Sequence, residues 1–317
     1  GSITGNTIEN GRAAHGGGVA VYFGRLEITG NTIRGNTAYS QDNNVFGSNY
    51  GGGGGILIVG DSSFGENIVE ANHSLTHGGG LYIVQGEGEV WNNTFQLNTC
   101  DLDGAGVLTN LSRNYLHDNL FSENIAYDDG GGMRVYVGGM TIENNEFLSN
   151  TAHNQGGAMK LSHAANTVTG NLLEGNWAAD AGGAIELDND ASLIQDNIFL
   201  ANTAYRGGGL HTWFNEEEVW IVGNEFRDNV ATWCGGAIQA DYDHYTVTLL
   251  HNQIIGNEAP YGAGLCTKDY VDLVVQNSVF RDNSASTSGG VAYINGGDTR
   301  FVNSVLYGNT GAAKKGI

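Results

Sequence analysis

Proline occurs once in 317 residues, cysteine three times, and 13 basic residues face 34 acidic ones. So little proline excludes collagen-like and polyproline structure, although glycine reaches 51. The glycines follow no three-residue period and read as turn residues. A net charge of -21 repels nucleic acid and anionic membrane surfaces, so neither is an expected partner. No apolar run approaches the roughly 20 residues of a membrane span, so no membrane insertion is expected, and no signal-peptide pattern opens the sequence. Cys100, Cys234 and Cys266 stand in unrelated contexts, suggest neither a disulfide framework nor a metal-ligand spacing, and say nothing of the compartment. Helical periodicity is missing throughout.

What the chain has instead is a repeat. Asn72, Asn98, Asn124, Asn150, Asn176 and Asn202 recur every 26 residues, then Asn229, Asn257, Asn283 and Asn309 follow at steps of 27, 28, 26 and 26. A parallel series begins at Asn31 and Asn67 and runs on to Asn224 and Asn252. Between the two lies an apolar residue, such as Phe95, Phe121, Phe147, Phe199 or Phe226, and a glycine cluster comes next. Short alternating segments between Gly, Asn and Asp turns read as strands. A unit of about 26 residues holds roughly three of them, which makes one coil of a parallel β-solenoid. The expected fold is all-β: a single right-handed parallel β-helix over residues 1–317, of 11 to 12 coils. Asparagine amides stack at the bends and phenylalanines stack inside. Residues 39–55 read as a loop inserted in the second coil. Neither end shows a capping helix, so the sequence reads as part of a longer chain, or as one whose ends stack on another copy.

The signals GGAM (156–159), GGAI (182–185 and 235–238), FSEN (121–124), FLSN (147–150), FLAN (199–202) and FRDN (226–229 and 280–283) resemble the repeats of polymorphic outer-membrane proteins and related β-helix surface proteins. The resemblance spans nearly the whole chain. It implies an extracellular or cell-surface rod, often an adhesin or an autotransporter passenger. Many copies here read GGG, and no C-terminal barrel segment is present, which departs from an autotransporter. The same fold serves polysaccharide lyases and glycoside hydrolases, so function has to be read from a site.

Residues that break the repeat are the candidates. In AIELD (184–188), Ile185 and Leu187 share one parity and face the core, so Glu186 and Asp188 are expected to face solvent. Across coils the first outward column reads Tyr82, Leu108, Arg134, Lys160, Glu186, His211, Gln239, Cys266. The second reads Val84, Asn110, Tyr136, Ser162, Asp188, Trp213, Asp241, Lys268. Glu186, Asp188, His211, Asp241 and Lys160 are the catalytic candidates, and Arg134, Tyr136, Trp213, Trp233, Tyr242 and Lys268 the binding ones. Asp188 and Asp241, two coils apart, would stand ~9.6 Å apart, near the upper end for an inverting glycosidase pair. The alternative for the whole strip is a solvated face of mixed charge. No cofactor is expected, calcium on the acidic turns DLD (101–103), YDDGGG (127–132) and DND (188–190) excepted. Two functions compete: a surface rod that binds polysaccharide, cell-surface glycan or a protein, and a polysaccharide-active hydrolase or lyase on the strip 134–241. Repeats of 26 residues leave no room for the long loops that wall a catalytic groove, which favours the rod.

Overall fold

The computed structural model describes residues 1–40, 51–215, 217–242, 245–269 and 271–311. Most of the 39–55 insertion lies outside them. The chain winds as a right-handed parallel β-solenoid. Among the described residues eleven coils contribute four short strands each, rather than the expected three, a twelfth contributes three, and like strands stack into four parallel sheets. Sheet 1 begins with Ser2–Thr4, sheet 2 with Thr7–Glu9 and sheet 3 with Arg12–Ala13, each reaching twelve strands. Sheet 4 begins with Val19–Tyr22 and has eleven. The extra strand is the two-residue element of sheet 3, too short to show alternation in the sequence.

The bends between sheets 1 and 2, and between sheets 2 and 3, explain the asparagines. Asn176 donates from Nδ2 to the Phe147 carbonyl at 2.9 Å and to Asn202 Oδ1 at 3.0 Å, while its own Oδ1 accepts from the Asn150 backbone N–H and side chain. Asn98, Asn124, Asn150, Asn202 and Asn229 repeat this pattern, each bonded to its copy in the next coil. These buried amides satisfy backbone groups that a bend would otherwise leave unpaired. The residue before each ladder asparagine is left-handed, and many of these are not glycine, as at Leu97, Glu123 and Ser149 with φ of 55, 54 and 55°. Each such residue costs about 1–2 kcal/mol, which the amide bonds offset. Glycine is indispensable where coils touch backbone to backbone. A Cβ on Gly157 would lie 2.2 Å from the Gly183 carbonyl oxygen.

Inside, Phe95, Phe121 and Phe147 stack at centroid spacings of 5.0 and 4.4 Å, and Phe199 stacks on Phe226 at 4.3 Å, all fully buried. Burying such rings contributes roughly 1.5–3 kcal/mol each. The core needs no layer beyond the coil itself.

Candidate functional site at the corner between ridge and fourth sheet

Between sheets 3 and 4 the central coils make a turn that ends at a glycine of positive φ, Gly130, Gly156, Gly182, Gly207 and Gly235, and side chains of these turns, such as Asp129 and Gln155, reach over sheet 4 to Lys160. Stacked coil on coil, these turns form a ridge beside sheet 4. The sheet 3 strands feeding it are two residues long up to Trp177–Ala178, then lengthen to Thr203–Arg206 and Val230–Cys234, with register shifts. The inner corner between ridge and sheet is where the candidates collect.

The expected register of both columns is correct. Lys160 pairs with Glu186, Glu186 with His211, Asp188 with Trp213 and Trp213 with Asp241. Their expected exposure is not. The first column points away from the coil core but lies under the ridge, and Glu186, His211 and Gln239 are 0–1% exposed, Arg134 3% and Lys160 6%. Asp241 of the second column is fully buried as well. Asp188, Tyr136, Trp213, Trp233 and Lys268 are partly exposed, and Tyr242 is exposed. The ridge was illegible because only its glycines recur from coil to coil, while the side chains that cover sheet 4 vary, as His77, Asp129, Gln155 and Arg206 do.

The buried groups form a closed network. His211 sits between two carboxylates, with Nδ1 2.7 Å from Glu186 Oε2 and Nε2 3.2 Å from Asp241 Oδ2. Burial works against a charge on His211, but the facing Glu186 and Asp241 outweigh it and push its pKa up to about 10, so the ring is an imidazolium donating at both nitrogens. Burial pushes the Glu186 carboxyl up against the pull of His211. Gln239 donates to Asp241 Oδ2 at 2.7 Å, while Asp241 Oδ1 and Gln239 Oε1 find no hydrogen-bond partner among the described residues. From the ridge, Arg206 pairs with Asp180 at 2.5 Å, reaches Asp241 at 3.8 Å and lies over the Trp213 ring.

One coil back, Lys160 Nζ lies 2.7 Å from Asp129 Oδ2 and 2.5 Å from Gln155 Oε1, with Asp188 at 3.9 Å. Burial pushes the Asp129 carboxyl up despite Lys160. Arg134 donates to Ser162 Oγ at 2.8 Å and covers the Tyr136 ring. Asp103, Asp128 and Asp129 come within 4.8 Å of one another, joining two of the acidic turns. The donors around them are protein groups: Lys160 on Asp129, and Asn154 Nδ2 on both Asp128 and Asp129 at 3.0 Å. These protein donors thus already pair with two of these three carboxylates. In DND, Asp188 is half-buried while Asp190 is buried in a separate network with Asn166 and Ser192. Asp243 and His244, which follow Asp241 and Tyr242, lie outside the described residues.

Two pockets open in this corner, one at each end of the ion network. The first, about 370 Å³, is lined by His77, Asp103 and Asp128 of the ridge and by Tyr82, Leu108 and Tyr136 of the floor. The second, about 240 Å³, is lined by Trp233, Tyr261, Lys268 and Tyr293. Between them Trp213 meets Tyr242 edge to face at 4.9 Å, and Lys268 Nζ lies 5.5 Å from the Tyr242 ring and 5.8 Å from the Trp233 ring. The grooved surface is thus walled by the repeat's own turns, and long loops are not required. Trp220, another exposed indole, stands on sheet 1. The sequence also missed a bond: Cys234 of the ridge is joined to Cys266 of the floor, and Cys100 stays free and buried.

A family model described as the right-handed beta helix region matches residues 179–317, and one described as periplasmic copper-binding protein (NosD) matches residues 105–235. A solved periplasmic alginate epimerase, AlgG, studied as a double mutant, is similar over 95% of this chain and 74% of its own, at 12% identity and a TM-score of 0.47. No curated protein matches the chain. Its repeat, its four parallel sheets and the match over its C-terminal coils make this chain a right-handed parallel β-helix repeat protein.

Proposed function

We propose that this chain is an exported β-helix module that binds glycan without cleaving it, along the corner between the ridge and sheet 4. The observation that carries this reading is a division of labour by depth. The groups suited to acid and base chemistry, Glu186, His211 and Asp241, are buried and bonded to one another. The groups left at the surface are rings, Trp213, Tyr242, Trp233 and Tyr136, with Lys268 among them. Flat rings with a few fixed polar neighbours suit the faces of sugars. Export is supported by the disulfide, which persists in oxidising compartments, and by the periplasmic description of the family matched at 105–235. Copper binding finds less support. The close group of potential ligands among the described residues is all carboxylate, and oxygen ligands suit harder cations than copper.

The test is a panel of neutral and acidic polysaccharides, with retention measured by affinity electrophoresis and product masses by mass spectrometry. Retention without products, weakened about tenfold in Trp213→Ala (1–1.5 kcal/mol for a lost ring contact), is the expected result. Products carrying added water or unsaturated ends would replace this reading with a hydrolase or lyase, and would point to Asp188, the half-exposed carboxylate beside Lys160. No retention on any polysaccharide would leave a structural or protein-binding rod.

A further inference from the structure

We propose that the Cys234–Cys266 disulfide is a redox-sensitive strap that holds the ridge against sheet 4 and sets the shape of the pocket beside Trp233. Cys234 ends the ridge strand Val230–Cys234, and Cys266 belongs to the floor strand Leu265–Lys268, 32 residues on and 5.9 Å away between Cα atoms. The bond crosses the corner, where neighbouring coils use non-covalent ties, Lys160 to Asp129 and Gln155 in one and Arg206 to Asp180 and Asp241 in another. It also lies where the ridge is least regular, since its strand pairing shifts register between Val230 and Cys234 and again between Ala259 and Tyr261. Trp233 precedes one cysteine and Lys268 follows the other by two residues, so the strap fixes the separation of the two sides that meet in the lysine–indole contact.

Both cysteines are nearly buried, at 2% and 1% exposure, and both line the pocket of about 240 Å³, which is the path by which a small thiol would reach the sulfurs. A dithiol reagent opens the strap in two steps. Its thiolate attacks one sulfur to form a mixed disulfide and expel the other as a thiolate, and its second thiol then displaces the remaining cysteine. Two electrons and two protons pass to Cys234 and Cys266, and the reagent leaves as its own disulfide. The rod survives, because the amide ladders through Asn197, Asn224 and Asn252, and through Asn202, Asn229 and Asn257, lie at the other bends of the same coils. This inference does not depend on which ligand the corner takes.

The folded protein would be treated with dithiothreitol without denaturant, followed by thiol counting and hydrogen exchange read by mass spectrometry. Two thiols should appear while buried Cys100 stays silent. Exchange at residues 232–236 and 262–268 should rise about tenfold or more, with residues 197–202 and 224–229 unchanged. The Cys234→Ser/Cys266→Ser double variant, never oxidised, should show the same local pattern. Sulfurs that react only in denaturant, a rise in exchange along the whole rod, or reduction without any change in exchange would each overturn the strap.

Discussion

Along sheet 4 the same outward position is apolar at one end, where Leu57, Tyr82 and Leu108 pack with Val59 and Val84, and ionic in the middle, where Lys160, Glu186 and His211 take it. The backbone pairing is the same in both regions, and both are buried. Folding of the corner therefore does not require charge. A buried ion cluster has to recover the desolvation of every member, and an apolar filling of similar volume is often at least as stable. Asp241 Oδ1, buried without a hydrogen-bond partner among the described residues, marks where the recovery is weakest. What the central charges add, beyond filling the corner, is contact with a surface ring: Arg206 over Trp213, and His211 with its ring 6.1 Å from the same indole.

The sharpest way to break this comparison is to remove the cation alone. His211→Leu leaves Glu186 and Asp241 buried without their shared partner and should cost about 3–5 kcal/mol in urea unfolding. A loss below about 1 kcal/mol would mean the network is far wetter than its burial indicates.

Next in size comes pH. Burial raises the Asp190 carboxyl to about 7 despite its bonds from Ser192, the Ala164 N–H and Asn166. A raised pKa in the folded state gives stability that is complete below the unfolded value, near 3.8, and is lost as pH climbs through about 7. Up to about 4 kcal/mol should disappear over that window, and Asp190→Asn should flatten the curve. His211 acts in the same direction but later, losing its contribution as pH rises from about 6.5 through about 10. Unfolding midpoints from pH 4 to 10 for the two proteins check both windows.

A smaller change sharpens the contrast directly. Glu186→Leu, His211→Leu and Asp241→Leu together convert the middle of the corner to the chemistry of Leu57 and Leu108. The triple variant should unfold within about 2 kcal/mol of the parent, or above it, and so recover most of what His211→Leu alone removes. It should nevertheless lose glycan retention if the charges position Trp213. The smallest stability effect belongs to Trp213→Ala. This half-buried ring should shift unfolding by about 1 kcal/mol or less while giving the largest loss of retention.

The ladders and the core were legible because each depends on residues at fixed steps of a long repeat. The column register was legible for the same reason, down to Lys160 beside Glu186. Burial was not, because it is imposed by the ridge, and of His77, Asp103, Asp129, Gln155 and Arg206 only the two aspartates share a residue type. The disulfide joins positions of two kinds, a ridge residue just before Gly235 and a floor residue in the next coil. No periodic count pairs them; a map of ridge against floor positions would have.

The asparagine ladders have one more consequence, for how such a chain changes length. Every rung is bonded to a copy of itself one coil away, so the ladder carries no address. A gene segment encoding one 26-residue coil can be duplicated or deleted and the two new neighbours will still fit. The corner carries addresses throughout, since Lys160, His211 and Cys266 each need particular partners in neighbouring coils. Loss of one coil between Leu108 and Lys160 would leave the rod one rung shorter and sound, but would take Asp128, Tyr136 or both out of the pocket they line. The ladders make length cheap to vary, and the corner decides which lengths remain useful.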